Sequence, residues 1–177
     1  TFASTLTAGS VTIASASGTV TVAGNIITTG NFDALSAPYS LQLQGASNNL
    51  GGKLTLANQG TAFLGTATSS KTLASGGISG DPGNSITAIG NLFTAGNPVT
   101  LDTLSLAGNF LIDTTNNGAV PAGAPISAST TNTNGYLLTL NAGTGGKTIF
   151  TDITLSGVFT STSPVEFAGK LTLAASS

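Results

Sequence analysis

Short stretches in which apolar and small polar residues alternate recur along the whole chain. Most are followed within a few residues by Gly or Asn. Alternation with a period of two predicts a β-strand with one buried face, and the Gly or Asn predicts a tight turn. No segment has the 3.6-residue period of a helix, so we predict an all-β protein. Representative stretches are Val11-Thr12-Ile13, Leu41-Gln42-Leu43, Leu54-Thr55-Leu56, Leu104-Ser105-Leu106, Leu138-Thr139-Leu140 and Ile153-Thr154-Leu155.

Longer phrases also recur, which indicates a repeat architecture. Gly24-Asn25-Ile26-Ile27-Thr28 returns 66 residues later as Gly90-Asn91-Leu92-Phe93-Thr94. Leu104-Ser105-Leu106 returns 49 residues later as Ile153-Thr154-Leu155, and Tyr39-Ser40-Leu41 returns 97 residues later as Tyr136-Leu137-Leu138. Repeats of this kind bury their apolar side by stacking on their neighbours. We therefore predict a parallel β-solenoid with short Gly/Asn turns, in which the recurring Phe93, Phe110 and Phe159 form an interior ladder.

Two stretches do not follow the pattern. The segments 65–85 and 113–135 are rich in Ser, Thr, Asn, Gly and Pro and contain few apolar residues. We predict that both are insertions that project from a single solenoid region covering 1–177. Because the chain begins at Thr1 and ends within a strand pattern, at Leu171-Thr172-Leu173, we expect a fragment of a longer protein or a processed subunit.

Charge is scarce, and this limits the classes of partner. Charged residues make up 6 % of the chain, with four Lys and no Arg, and the formal net charge is −2. Nucleic-acid binding requires clustered cations, so we expect no nucleic-acid partner. No uninterrupted apolar segment approaches the roughly 18 residues of a transmembrane helix, so we expect no membrane span. A weakly charged, hydroxyl-rich surface is typical of extracellular fibres and favours self-association.

The candidate chemistry is correspondingly poor. The chain has no His and no Cys, and the five aspartates are widely separated, at Asp33, Asp81, Asp102, Asp113 and Asp152. Catalysis normally requires a nucleophile with its base or a cluster of acids, so we predict a protein that is not an enzyme, with no catalytic, cofactor-binding or metal site and no cofactor. The triplets Thr5-Leu6-Thr7, Thr19-Val20-Thr21 and Thr66-Ala67-Thr68 are irregularly placed, and we interpret them as ordinary strand residues and not as an ice-binding array.

Two phrases carry a resemblance to a known family. Leu138-Thr139-Leu140-Asn141-Ala142-Gly143-Thr144-Gly145-Gly146 and Gly18-Thr19-Val20-Thr21-Val22-Ala23-Gly24-Asn25-Ile26 resemble the repeats of filamentous-haemagglutinin-like adhesins and autotransporter passenger domains of bacteria. The resemblance implies a right-handed parallel β-helix that is secreted to the cell surface and acts as an adhesin stalk or filament. It carries over no catalytic residues.

Several functional interpretations follow from the sequence. The first is a structural or adhesive rod at the cell surface, which associates with itself or neighbouring repeats and contacts a carbohydrate or protein of another cell. A second is a β-sandwich subunit of a pilus, in which the segment from Thr1 to Ile13 would insert into a neighbouring subunit. A third is a carbohydrate-binding module, which would require exposed aromatic side chains.

Overall fold

The computed structural model describes residues 1–174, which form strands and turns without any helix. No helical membrane span is therefore found in this range. The strands are β1 (Leu6–Ala8), β2 (Val11–Ile13), β3 (Gly18–Val22), β4 (Ile26–Thr28), β5 (Phe32–Ala34), β6 (Tyr39–Leu43), β7 (Ser47–Leu50), β8 (Leu54–Leu56), β9 (Thr61–Leu64), β10 (Lys71–Ala74), β11 (Ile78–Gly80), β12 (Ser85–Phe93), β13 (Val99–Asp113), β14 (Ile126–Asn132), β15 (Leu138–Asn141), β16 (Thr148–Leu155), β17 (Phe159–Ser161), β18 (Val165–Phe167) and β19 (Leu171–Leu173).

The strands stack in parallel on three faces of a β-solenoid with about eight turns, which we call coils. Face A begins with β1, β4, β7 and β10 and ends with β15 and β17. Face B begins with β2, β5, β8 and β11 and ends with β18. Face C begins with β3, β6 and β9 and ends with β19. The long strands β12, β13, β14 and β16 continue around corners and belong to two or three faces each.

The fold confirms the predicted all-β solenoid and excludes the alternative β-sandwich. All pairings between the named strands are parallel, whereas a pilus-type sandwich is built largely from antiparallel strands. The segment from Thr1 to Ile13, which the sandwich would donate to a neighbour, pairs within its own chain through β1 and β2. The alternation of apolar and polar residues produces the solenoid. Each strand turns its apolar side chains inward, and successive coils bury these rows against one another.

The interior is filled by Leu, Ile, Val and Ala with few aromatic side chains. Leu41, Leu54 and Ile86 are fully buried, and burial of such a side chain contributes about 1.5–3 kcal/mol. Polar residues enter the interior mainly near corners, where backbone groups turn away from the ladders. At the corner between faces B and C, the buried Asn84 donates from Nδ2 to the carbonyl of Asn58 at 2.8 Å, and Asn58 donates to the carbonyl of Gly60 at 2.8 Å. These amides stack on successive coils and satisfy corner carbonyls.

Two of the three recurring phrases coincide with the register of the stack. Paired residues are between 17 positions apart (Thr148 and Val165) and 28 positions apart (Phe110 and Leu138). The offset of 66 corresponds to three coils on face A, and the offset of 49 corresponds to two coils on face C. The offset of 97 does not correspond to stacking, because the Tyr39 phrase lies on face C and Leu138 lies on face A.

The predicted interior ladder of Phe93, Phe110 and Phe159 is wrong. Phe110 and Phe159 do share a column, since both pair with Leu138, which lies between them. Phe93 pairs instead with Asp113, three positions further along the strand. The register of β12 against β13 shifts between Ala88 and Gly90, so the phrase that begins at Gly90 is not aligned with the phrase that contains Phe110. Phe150 instead makes two aromatic contacts: it stacks on Phe167, with ring centroids 6.2 Å apart at an interplanar angle of 18°, and it meets Phe159 edge to face at 6.1 Å.

The two predicted insertions are shorter than the sequence suggested. Residues 65–70 between β9 and β10, and residues 114–125 between β13 and β14, are the extended turns. The remainder of 65–85 contains β10 and β11, and the remainder of 113–135 contains β14, all of which pair with neighbouring coils. These strands were missed because some of their inward positions are occupied by Thr in place of Leu or Ile. Thr72 and Thr131 are examples, and both are buried.

Candidate functional site

The acidic residues remain dispersed in the folded chain. Asp33 lies on the outward side of face B, and Asp152 lies on the outward side of face C. Asp81 and Asp102 lie on consecutive coils, where Asp102 accepts a hydrogen bond from the backbone N–H of Gly83 at 2.7 Å. Within residues 1–174, no group of three or more His, Cys, Asp or Glu side chains is positioned to hold a metal ion.

The carboxylate of Asp113 anchors the longest turn, residues 114–125. Its Oδ1 accepts hydrogen bonds from the backbone N–H and the hydroxyl of Thr115, at 2.7 and 2.6 Å, and from Asn141 Nδ2 at 3.3 Å. Its Oδ2 accepts from the backbone N–H of Asn117 at 3.2 Å. Asn117 and the neighbouring Asn116 have positive φ angles of 58° and 51°, which bring the chain back towards the carboxylate. All four donors belong to this chain, so we assign Asp113 a structural role.

Two further contacts of charged side chains on the surface are isolated. Lys147 and Glu166 form an ion pair at 2.8 Å, with both side chains about half exposed. Such exposed pairs contribute little to stability, typically below about 1 kcal/mol. On face A, the ammonium group of Lys71 lies 4.8 Å from the ring centroid of Phe93, a cation–π contact. Neither contact forms part of a larger cluster.

The most extended regular feature of the surface is a row of hydroxyl groups on face C. Six consecutive coils place a Ser or Thr at the same outward position, each followed by an inward residue that is buried in all of these coils except the first. Parallel strands place neighbouring members about 4.8 Å apart. We call this row the hydroxyl column, and it consists of Thr19, Ser40, Thr61, Ser85, Thr103 and Thr130.

A second outward row runs beside the hydroxyl column, two residues further along each strand. We call it the mixed column, and it consists of Thr21, Gln42, Phe63, Thr87, Ser105 and Asn132. Among the twelve residues of the two columns, the side-chain hydrogen bonds within residues 1–174 are made by the mixed column: Thr21 donates to Gln42 Oε1 at 3.3 Å, and Ser105 accepts from Asn134 at 2.8 Å. The hydroxyls of the neighbouring hydroxyl column therefore remain available to solvent or to a ligand.

Phe63 stands near the middle of the two columns. Its side chain is 38 % exposed, although an aromatic ring is normally buried in a chain with so few aromatic residues. The mixed column places Gln42 on one side of Phe63 and Thr87 on the other. Gln42 Oε1 also accepts from Gln44 at 3.0 Å, which leaves the Nε2 group of Gln42 as a donor. None of the twelve residues in the two columns is charged.

Sequence reasoning did not find these columns. Among the three Thr triplets, only Thr19-Val20-Thr21 lies on face C; Thr5-Leu6-Thr7 is on face A, and Thr66-Ala67-Thr68 is in a turn. The triplets consequently do not form one array. The relevant signal was present in less regular triplets such as Ser40-Leu41-Gln42 and Ser85-Ile86-Thr87, but their alignment depends on the register between coils.

Comparisons with known proteins do not assign this chain to a family. No protein family, curated protein or solved structure matches this chain. Functional inference therefore depends on the geometry of the coils and their outward faces.

Proposed function

We propose that this chain is a structural and adhesive element of an extracellular surface protein, in which the solenoid serves as a rigid rod. The observation that supports this proposal most directly is the stacking of about eight coils on three parallel faces. At about 4.8 Å per coil, eight coils extend for roughly 40 Å. A repeat architecture of this kind lengthens by adding coils, and its faces remain open to partners.

Low surface charge supports the same proposal. With only ten charged side chains in 177 residues, little repulsion opposes the close approach of neighbouring copies or of a cell surface. Hydroxyl and amide groups cover the outward positions instead, and they bind neutral partners by hydrogen bonding. The proposed role is passive: the rod contributes length, stiffness and a contact surface, without catalysis or a cofactor.

Self-association along the axis forms part of the proposal. The last coil exposes apolar side chains, including Phe167, Leu171 and Leu173, of which Leu173 is 74 % exposed. In interior coils, the residues equivalent to Leu171 and Leu173 are covered by the next coil; Leu104 and Leu106 are examples. A further coil, supplied by neighbouring repeats or by another copy, would cover the last one in the same way and continue its strand ladders.

Electron microscopy tests the rod directly. We expect purified protein in negative stain to form short rods or end-to-end filaments, and fibre diffraction of aligned material to give an axial spacing of about 4.8 Å. Antibodies against the chain should label intact cells of the source organism without permeabilisation. Compact particles that lack an axial spacing would contradict the rod, and labelling that requires permeabilisation would contradict the surface location.

A further inference from the structure

We propose that face C binds an extended, neutral polysaccharide, which lies along the solenoid axis over the hydroxyl column and the mixed column. The proposal rests on the rod function proposed above, because a chain-like ligand requires a face that remains regular over several coils. It goes further by assigning a ligand class and a specific face.

The spacing of the columns fits a polymer better than a small molecule. Neighbouring hydroxyls of the hydroxyl column follow one another at about 4.8 Å along the axis. One sugar ring of an extended β-linked glycan advances by a similar length, so each coil can offer one hydroxyl to each successive sugar. A hydroxyl both donates and accepts, which suits the hydroxyl groups of a sugar. From Thr19 to Thr130 the face provides six such positions.

The two columns favour a neutral ligand. Their twelve side chains include neither an acid nor a base, and charge enters the hydroxyl column only beyond Thr130, where Asp152 and Lys170 occupy the next two positions. Face B has a comparable but shorter row of four hydroxyls on successive coils, Thr55, Ser79, Thr100 and Ser127, with Asp33 at the position before it. A sulfated or uronic-acid glycan would find no cation within the two columns with which to pair. An uncharged glycan loses nothing by this absence.

Phe63 provides an apolar platform at the centre of the face. The C–H groups on one side of a pyranose ring pack against the face of an aromatic ring, whose π-electrons attract them. Gln42 and Thr87 flank Phe63 within the mixed column and can bind the hydroxyls at the edges of the same sugar. The exposed ring lies between two polar side chains and has no apolar packing partner in the outward row. We therefore assign it a function in binding.

Binding to neutral glycans tests the proposal, and the chain offers matched controls. We would measure retention on amorphous cellulose, xylan and β-1,3-glucan, and titrate cellohexaose by calorimetry. Phe63→Ala should weaken binding by about tenfold or more, as expected for the loss of one aromatic contact. Its control is Leu35→Ala, because Leu35 on the face B side is exposed to 39 % and Phe63 to 38 %. The control should change affinity by less than about twofold.

A second pair of variants tests the face independently of the aromatic ring. Ser85→Lys places a charge on the hydroxyl column, and Ser79→Lys places the same charge on face B of the same coil. We expect only Ser85→Lys to weaken binding, with circular dichroism unchanged in both variants. Binding should also be insensitive to salt, because no charge takes part.

Three results would overturn the proposal. They are failure of the wild-type protein to bind any of the three neutral glycans, equal losses in Phe63→Ala and Leu35→Ala, and preferential, salt-sensitive binding to a sulfated glycan. Each could occur while electron microscopy still shows rods, so failure of the glycan proposal can be distinguished from failure of the rod proposal.

Discussion

Replacement of Asp113 by Ala should destabilise the long turn that its carboxylate anchors. Two of its four hydrogen bonds come from Thr115, which is 3 % exposed, and hydrogen bonds to a charged group contribute about 1.5–3 kcal/mol each. The N–H of exposed Asn117 can bind water instead, so its bond adds little. Removal of the carboxylate also relieves part of the cost of burying it. We therefore expect the free energy of unfolding to fall by about 3 kcal/mol.

Urea unfolding monitored by circular dichroism measures this change, with Asp33→Ala as the control. Asp33 is a half-buried aspartate on face B, and its replacement should alter stability by less than about 0.5 kcal/mol. Hydrogen exchange provides a local readout, because the amide protons of Thr115 and Asn117 should lose protection in Asp113→Ala. The reasoning is refuted if Asp113→Ala costs no more than Asp33→Ala, or if both amide protons remain protected.

Two further predictions concern a buried hydroxyl and a close backbone approach. The hydroxyl of Tyr39 is buried without a hydrogen-bond partner within residues 1–174, and burial raises the pKa of Tyr39 above 10.0. Since the folded state favours the protonated form, the contribution of Tyr39 to the free energy of unfolding should be constant below pH 10 and fall above it. Tyr39→Phe should remove this fall and raise the free energy of unfolding at pH 7 by about 1 kcal/mol. Urea unfolding measures both effects. Gly143 has a φ of 73°, and a Cβ added there would lie 2.5 Å from the carbonyl oxygen of Ala122. Gly143→Ala should therefore lower the free energy of unfolding by more than about 2 kcal/mol in thermal unfolding. Gly9→Ala is the control and should be neutral, because a Cβ added at Gly9 meets no atom within 4 Å. Equal effects of the two substitutions would contradict the steric argument.

The fold class was predictable from the sequence because alternation and stacking depend on local patterns. Leu104-Ser105-Leu106 and its counterpart at Ile153 lie in strands in the structure and are separated by two coils. Coils with Thr at inward positions were not predictable in this way. Thr131 occupies the same column as Leu104 and Ile153, but a polar residue in a Ser/Thr-rich stretch carries no apolar signal.

The candidate site was less predictable than the fold because it depends on register. Ser40, Thr61 and Ser85 become one column only because the two coil lengths that separate them, 21 and 24 residues, bring them to the same position of successive coils. The sequence contains these residues but does not specify how many residues each turn requires. Asp113 illustrates the same limit, since its partner Asn141 lies 28 residues away on the neighbouring coil.

The 66-residue offset between the two copies of the recurring phrase equals three whole coils, and this equivalence bears on how such a chain can evolve. Duplication or deletion of a segment that begins and ends at the same point of a coil returns every remaining residue to its original face, as with Ile26 and Leu92. The hydroxyl column and the mixed column would then lengthen or shorten by whole steps without any change in their chemistry. Recombination within the gene can in this way adjust the reach of the protein while its surface pattern is inherited intact.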